Sequence, residues 1–200
     1  MTPHMTPQQK KLVLPMIILA LGFVSLVSVA LFIVSQPAEQ RATANVGGPF
    51  QLVDQTGKRV TEATYKGGPV IIFFGFTHCP DVCPTTLFEM SEVLKRLPKD
   101  KKVAALFVTV DPERDTPEKL KDYLSSFDPR ISGLSGTRAE IDATLKAYRV
   151  YAKKVPQENG EYTMDHSAII YLMDKQGRFV NALNMQQPPE AVAREIQRQM

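Results

Sequence analysis

The sequence predicts an α/β domain built on a central sheet. Three observations carry that prediction. Two apolar runs, PVIIFFGF at residues 69–76 and VAALFVTVD at residues 103–111, are uniform rather than alternating, as strands covered on both faces are. Helix periodicity and helix caps stand between and after them. Further strand-like runs and a helix close the chain, and strands alternating with helices build a sheet with helices packed on it. Hydrophobic residues are 44% of the 200, enough to fill such a core.

Each element has its own signal. FQLVD and KRVT flank DQTG and predict a small hairpin. The run at 69–76 follows as a buried strand. Leu87, Met90, Leu94 and Leu97 recur at spacings of three and four, one face of a helix. Pro84 would clash inside a helix, so that helix is expected to start near Pro84, with Cys83 at or beside its N-cap. The second buried strand is 103–111. Thr116-Pro117-Glu118 predicts a helix with threonine as N-cap and proline at the first position. Thr137 and Glu140 have capping-box spacing, and a helix to about Tyr148 follows. RVYAKKV and EYTMDHSAIIYLMD flank PQENG and predict paired strands, with His166 beginning HSAIIYLMD. Gln176-Gly177 turns the chain into RFVNAL, and Pro189 opens a last helix.

One segment stands outside this domain. Residues 12–34, LVLPMIILALGFVSLVSVALFIV, are 23 residues without a charge. A helix of about 20 apolar residues crosses a bilayer core. The run exceeds the roughly 7–15 residues of a signal-peptide core, and Ser35-Gln36-Pro37 puts proline where cleavage would fall. It has no cysteine for a lipid anchor. The expectation is an uncleaved single-pass anchor. Lys10 and Lys11 precede it, so residues 1–11 are expected in the cytoplasm by the positive-inside rule. Residues 35–46 then form a polar linker. Residues 47–200 form the domain, on the periplasmic side of an inner membrane or the equivalent side of the mitochondrial one. The net charge of +3 falls to +1 without the two lysines. A nearly neutral body has no electrostatic footprint for nucleic acid.

Both cysteines lie in GFTHCPDVCPTTL, residues 75–87. An oxidising compartment favours disulfides, but a bridge closing so short a loop adds little stability. The pair therefore reads as chemistry, either a redox couple or a metal site. A helix N-terminus favours a thiolate, so Cys83 is expected to be acidic and the pair easily interconverted between dithiol and disulfide. Pro80 and Pro84 stiffen the turn between them. Thiolates are soft donors that select copper(I) or zinc, and two of them call for a third ligand. His4 lies across the expected anchor. His78 adjoins Cys79 and points the other way in an extended segment, so it reads as an exposed loop residue. His166 remains.

A strand feeding a cysteine pair at a helix start, closed by a β-hairpin and a helix, is a thioredoxin-like layout. In that fold the segment before the closing strand faces the cysteines and usually carries a cis-proline. Here it reads Met164-Asp165-His166, with no proline. His166 is the candidate third ligand, against the plainer reading of a histidine that only hydrogen-bonds at a strand start.

GFTHCPDVCPTTL, VTVDPERDTPEKL, and MDHSAIIYLMD with QGRF resemble the Sco/SenC family. The resemblance covers most of residues 47–200 in order, and the preceding anchor fits it. It implies a membrane-tethered, thioredoxin-like copper protein that helps build the dinuclear CuA centre of cytochrome c oxidase subunit II. The family's ligands fall on Cys79, Cys83 and His166. Asp81, Asp111 and Asp115 receive no role from it beyond shaping the loop, turns and caps. The implied partners are subunit II, the membrane, and a thioredoxin-like reductant or another periplasmic copper chaperone. Three functions stay open. The first is a copper(I) or copper(II) metallochaperone, which needs no enzymatic turnover. The second is a thiol–disulfide reductase that keeps the acceptor's cysteines reduced. The third is a peroxidase, for which only His78 adjoins the pair. His166 separates the first two, because copper needs it and disulfide exchange does not.

Overall fold

The structure, a computed structural model, describes residues 19–29, 46–158 and 160–200. The chain divides into two units, Met1–Thr43 and Ala44–Met200. Of the first, residues 19–29 are helical (α1), with Leu19, Leu21, Phe23 and Leu26 exposed. The remainder of the expected 12–34 anchor, the two lysines before it and nearly all of the 35–46 linker lie outside the described residues. Among the described residues no helix is long and apolar enough to cross a membrane.

The second unit runs β1 (Gln51–Asp54), β2 (Arg59–Thr61), α2 (Glu62–Tyr65), β3 (Val70–Gly75), α3 (Val82–Lys95), β4 (Ala104–Thr109), α4 (Pro117–Leu124), β5 (Ile131–Ser135) and α5 (Arg138–Ala147). It continues through β6 (Ala152–Pro156), β7 (Tyr162–His166), β8 (Ile170–Met173), β9 (Phe179–Leu183) and α6 (Pro189–Gln197). Seven strands form one sheet in the order β2-β1-β5-β4-β3-β8-β9. The central strands β3, β4 and β5 are parallel, and every other pairing in it is antiparallel. Strands β6 and β7 form a separate two-stranded sheet.

The uniform apolar runs became the centre of the large sheet. All six residues of β3 are buried, and β4 is buried from Ala105 onward. The register pairs Val70 with Ala104 and Gly75 with Thr109, so both strands end at the same edge. On α3, Leu87, Met90 and Leu94 are fully buried, and Leu97 just beyond the helix is nearly so. Helix α3 packs on α6, and Arg96 at the end of α3 pairs with Glu92 one turn back and, across that contact, with Glu190.

Local signals held where a side chain caps its own helix. Thr116 accepts the Lys119 amide at 3.3 Å, with Pro117 in the first turn. Thr137 and Glu140 form the reciprocal capping box, and α5 ends with Tyr148 as its C-cap. Asp54 closes the first hairpin by accepting the amides of Thr56 and Lys58. Gly177, at φ +82°, makes the turn into β9 that a side chain would strain.

Two expectations change. Helix α3 begins at Val82, two residues before Pro84, with Asp81 as N-cap, so Cys83 is its second residue rather than at or beside the cap. Pro84 is its third residue, and the first four amides of a helix have no partner within it, so the missing N–H costs nothing there. His166 does not begin the strand HSAIIYLMD. It ends β7, paired with Ala152 of β6. The chain then leaves the small sheet and enters the large one at Ile170, opposite Phe73.

Candidate metal centre

The centre lies where β3 and β4 end, the edge at which open α/β sheets present their sites. Strand β3 delivers the segment Phe76–Cys79, which turns back with the Cys79 amide donating to the Phe76 carbonyl at 3.2 Å. The first turn of α3 follows at once. Both cysteines are free thiols. Cys83 is fully buried and Cys79 is half-buried. The Cys83 amide donates to Cys79 Sγ at 3.4 Å. The helix start therefore serves the outer sulfur, Cys79.

The expected acidity of Cys83 is overturned. Burial pushes its thiol well up, and the neighbouring Cys79 and Asp115 add to the rise. The Phe76 amide opposes them without prevailing. Desolvation outweighs whatever the helix N-terminus offers, because Cys83 Sγ is buried against the sheet. A Cβ on Gly75 would lie 2.8 Å from that sulfur and 2.6 Å from the Phe107 ring. Glycine at the end of β3 is what makes room for it.

Asp115 fixes the approach to the cysteines. Its buried carboxylate accepts the Thr77 amide at 3.0 Å, the Thr77 hydroxyl at 2.6 Å and the Thr109 hydroxyl at 2.6 Å. Burial raises its pKa against these three donors. Its own carbonyl accepts the Ser135 hydroxyl at 2.7 Å, tying in β5. The sequence assigned Asp115 a turn or cap. It instead clamps the loop carrying Cys79 to β4 and β5. The available signal was its place just past a buried strand, at the edge where sites form. Asp81 is the N-cap by its backbone alone, with its carbonyl accepting the Thr85 amide at 3.2 Å.

His166 reaches the site from the small sheet. Its ring meets Phe76 edge-on, with centroids 5.7 Å apart and planes at 86°. Its Nδ1 lies 3.1 Å from the Ser167 carbonyl oxygen. A carbonyl only accepts, so Nδ1 carries the proton and Nε2 keeps a lone pair, the arrangement of a metal-binding imidazole. Burial holds its pKa below the ordinary value, so the ring is neutral at neutral pH. His78 is exposed in the loop, as expected.

Arg114 ties the small sheet to the rest. Its guanidinium lies 3.7 Å from the Tyr162 ring centroid and 6.0 Å from that of Phe76. It donates to the Tyr162 carbonyl at 3.0 Å and pairs with the buried Asp111. Tyr162 in turn donates its hydroxyl to Asp111 at 3.0 Å, and Lys154 of β6 pairs with Glu113 at 2.6 Å. Asp111 thus anchors the histidine strand, a role its sequence position did not show. Arg114 and Tyr162 carried no sequence signal, because their contact spans 48 residues.

The structure brings the two cysteines together and places His166 against Phe76, three residues before Cys79. Among the described residues, no three His, Cys, Asp or Glu side chains already converge as a metal cluster. Two sulfurs and one imidazole nitrogen are donor types that a soft metal takes.

Comparison with known proteins follows this geometry. The SCO1/SenC family model matches residues 38–200. The human mitochondrial protein SCO1 homolog is 43% identical over 140 residues, covering 68% of this chain and 46% of that one. The chain thus spans under half the length of that relative. Among solved structures, Bradyrhizobium japonicum ScoI with copper bound is 60% identical, with a TM-score of 0.75, covering 78% of this chain and 99% of that one. BsSco, described by a disulfide switch and as a member of the Sco family of cytochrome c oxidase assembly proteins, is 26% identical. Its TM-score is 0.60, and the match covers 77% of this chain and 93% of that one. The thioredoxin-like α/β fold expected from the sequence is the fold of these Sco structures. A family match across the whole described domain, joined to a copper-bound homologue of the same fold, places the chain in the SCO1/SenC family.

Proposed function

We propose that this protein is a copper metallochaperone that carries the metal on Cys79, Cys83 and His166. Its acceptor is the CuA centre of cytochrome c oxidase subunit II. The observation that carries the reading is the cysteine pair straddling the start of α3, Cys79 in the loop before it and Cys83 in its first turn, with the outer sulfur already facing an amide donor. His166 supports it by offering a neutral Nε2. Copper is cargo here, and the unequal burial of the two sulfurs suits a cargo. Cys83 holds it from the core side. Cys79, half-buried, is the sulfur at which an acceptor's thiolate exchanges for the protein's. Imidazole is the borderline donor that suits copper(II), while copper(I) is content with two thiolates. Residues 12–34 anchor the chain in the inner membrane with the domain on the periplasmic side, or its mitochondrial equivalent. A periplasmic reporter fused after Met200 should then be active; activity of a cytoplasmic reporter there would reverse the topology.

Copper titration of the detergent-solubilised chain, with thiols counted before and after, tests the reading. Binding of copper with loss of both reactive thiols is expected. Full thiol reactivity in the presence of copper would remove it.

A second reading, thiol–disulfide reductase, is favoured by the contact between the Cys83 amide and Cys79 Sγ and by the disulfide switch described for BsSco. Oxidising the pair would abolish the copper site, so both activities fit one pair. Cells carrying His166→Ala distinguish them. Failed oxidase assembly with intact dithiol–disulfide exchange supports the chaperone, and normal assembly at limiting copper supports the reductase.

A further inference from the structure

The end of the domain opposite the cysteines takes no part in the centre, and it is basic. Strands β3 and β4 start there, at Val70 and Ala104, and run toward the cysteines. Lysines from three loops meet around Gly67. The Gly67 amide donates to the Lys175 carbonyl at 3.0 Å. The Lys102 ammonium donates to the Lys66 carbonyl and lies 3.5 Å from where a Cβ on Gly67 would be. Lys66, Lys102 and Lys175 are exposed, as are Lys99 and Lys101 in the loop before β4. The carboxylates at this end are engaged elsewhere. Asp174 pairs with Arg178, Asp100 lies 4.0 Å from Lys101, and Glu62 accepts the Phe50 amide. Among the described residues, no carboxylate pairs with Lys66, Lys102 or Lys175. The concentration of charge is local, because the chain without Lys10 and Lys11 nets only +1. The chain also enters the domain here. The Gly47 amide donates to the Ala147 carbonyl, the last residue of α5, at 2.9 Å. A Cβ on Gly47 would lie 3.9 Å from the Gly177 carbonyl, in the turn that carries Lys175.

We propose that this face is a docking surface for anionic phospholipid headgroups, on which the domain rests against the bilayer that holds its anchor. The inference rests on the reading of residues 12–34 as an anchor, and not on copper. A linker of residues 35–46 reaches at most ~43 Å when extended, and tethering makes even a weak second contact effective. Each ammonium is a compact point charge with three donors, suited to phosphate oxygens. Lysines beside an anionic bilayer add an attraction that fades within a Debye length. Docking stands the cysteine edge off the bilayer by the length of β3, roughly 20 Å, and turns it away from the lipid.

The test uses the full chain in lipid nanodiscs with spin-labelled headgroups, made of phosphatidylcholine alone or with added phosphatidylglycerol. Backbone amide signals are followed by nuclear magnetic resonance. With the anionic lipid, the signals of residues 66–67, 99–102 and 175–177 should be lost, while those of Cys79, Val82 and Cys83 persist. Discs of phosphatidylcholine alone should restore the lost signals. So should salt at ~1 M, where the screening length is about 3 Å. Lys66→Gln, Lys102→Gln and Lys175→Gln together should restore them as well. Lys119→Gln, Lys121→Gln and Lys153→Gln together, an equal change of charge at exposed sites on α4 and β6, should not. The lipid and salt comparisons on the wild type decide the matter even if the first triple variant fails to fold. Equal loss in both lipids, or loss centred on Cys79–Cys83, overturns the inference and leaves the anchor intact. So do sharp signals throughout in anionic discs, the result if the lysines serve an acidic protein instead, or a folded first triple variant that behaves as the wild type. A chain that salt washes from the discs overturns the anchor and the inference together.

Discussion

The cysteines and the histidine stand on unlike foundations. Cys79 and Cys83 leave the centre of a seven-stranded sheet, through a loop clamped by Asp115 and into a 14-residue helix. His166 ends a strand of a two-stranded sheet. A lone pair of strands is marginal in water, and this one depends on Arg114, Tyr162 and Lys154 for its attachment. The sulfur half of the site is built into the core, whereas the imidazole half is fastened to it. The difference assigns the two halves different tasks. On the proposed copper reading, the sulfurs would set whether copper binds, and the histidine would set which oxidation state is held.

Four changes break or sharpen that contrast. Cys83→Ser removes the buried half outright. Copper affinity should fall by more than the roughly 10–100-fold that outer-sphere partners control, and unchanged copper stoichiometry would contradict the assignment. Gly75→Ala strains the same half without replacing a ligand. Its Cβ would press on Phe107 and Cys83 Sγ. Overpacking of about 1–3 kcal/mol should lower the melting temperature by about 5 °C; an unaltered melt would show the sulfur free to move. Arg114→Ala loosens the other half. Copper(II) affinity should drop about tenfold, within the range of outer-sphere partners, while copper(I) affinity changes less. Equal losses for both ions would mean that the small sheet does not act through His166.

The smallest effect comes from acid, and it falls on the frame. The Arg59 guanidinium and the Thr137 amide hold the Glu140 carboxyl down to about 2, from an ordinary 4.5. A depressed carboxyl pKa stabilises the fold fully above the ordinary value and loses that contribution as pH falls toward the folded one. Melting temperature should therefore decline between pH 4.5 and about 2. Glu140→Gln should flatten the decline by about 2 °C. An identical decline in the variant would assign the acid sensitivity to other carboxylates.

The same contrast explains what the sequence could tell. The frame was legible because its signals are local. Uniform apolar runs marked β3 and β4, and Thr116, Thr137 and Glu140 marked helix starts by capping themselves. The cysteines were legible because proline and spacing isolate them. The histidine half was less so. The apolar run after His166 is continuous, and only pairing with β6 or β3 decides where one strand ends and the next begins. The clamp from Asp115 to Thr77 spans 38 residues, and the tie from Arg114 to Tyr162 spans 48. Neither leaves a local pattern. The acidity expected of Cys83 failed for a related reason. A helix-end rule is local, and burial against Gly75 and Phe107 is not.

The most direct measurement is a pair of titrations of wild type and His166→Ala, one with copper(I) and one with copper(II). A site with a built-in sulfur half and a fastened imidazole half predicts a divided result. Copper(II) binding weakens strongly in the variant and its spectrum changes, while copper(I) remains held by Cys79 and Cys83. If copper(II) binds both proteins with the same affinity and the same spectrum, His166 is not a ligand and the three-residue centre is wrong.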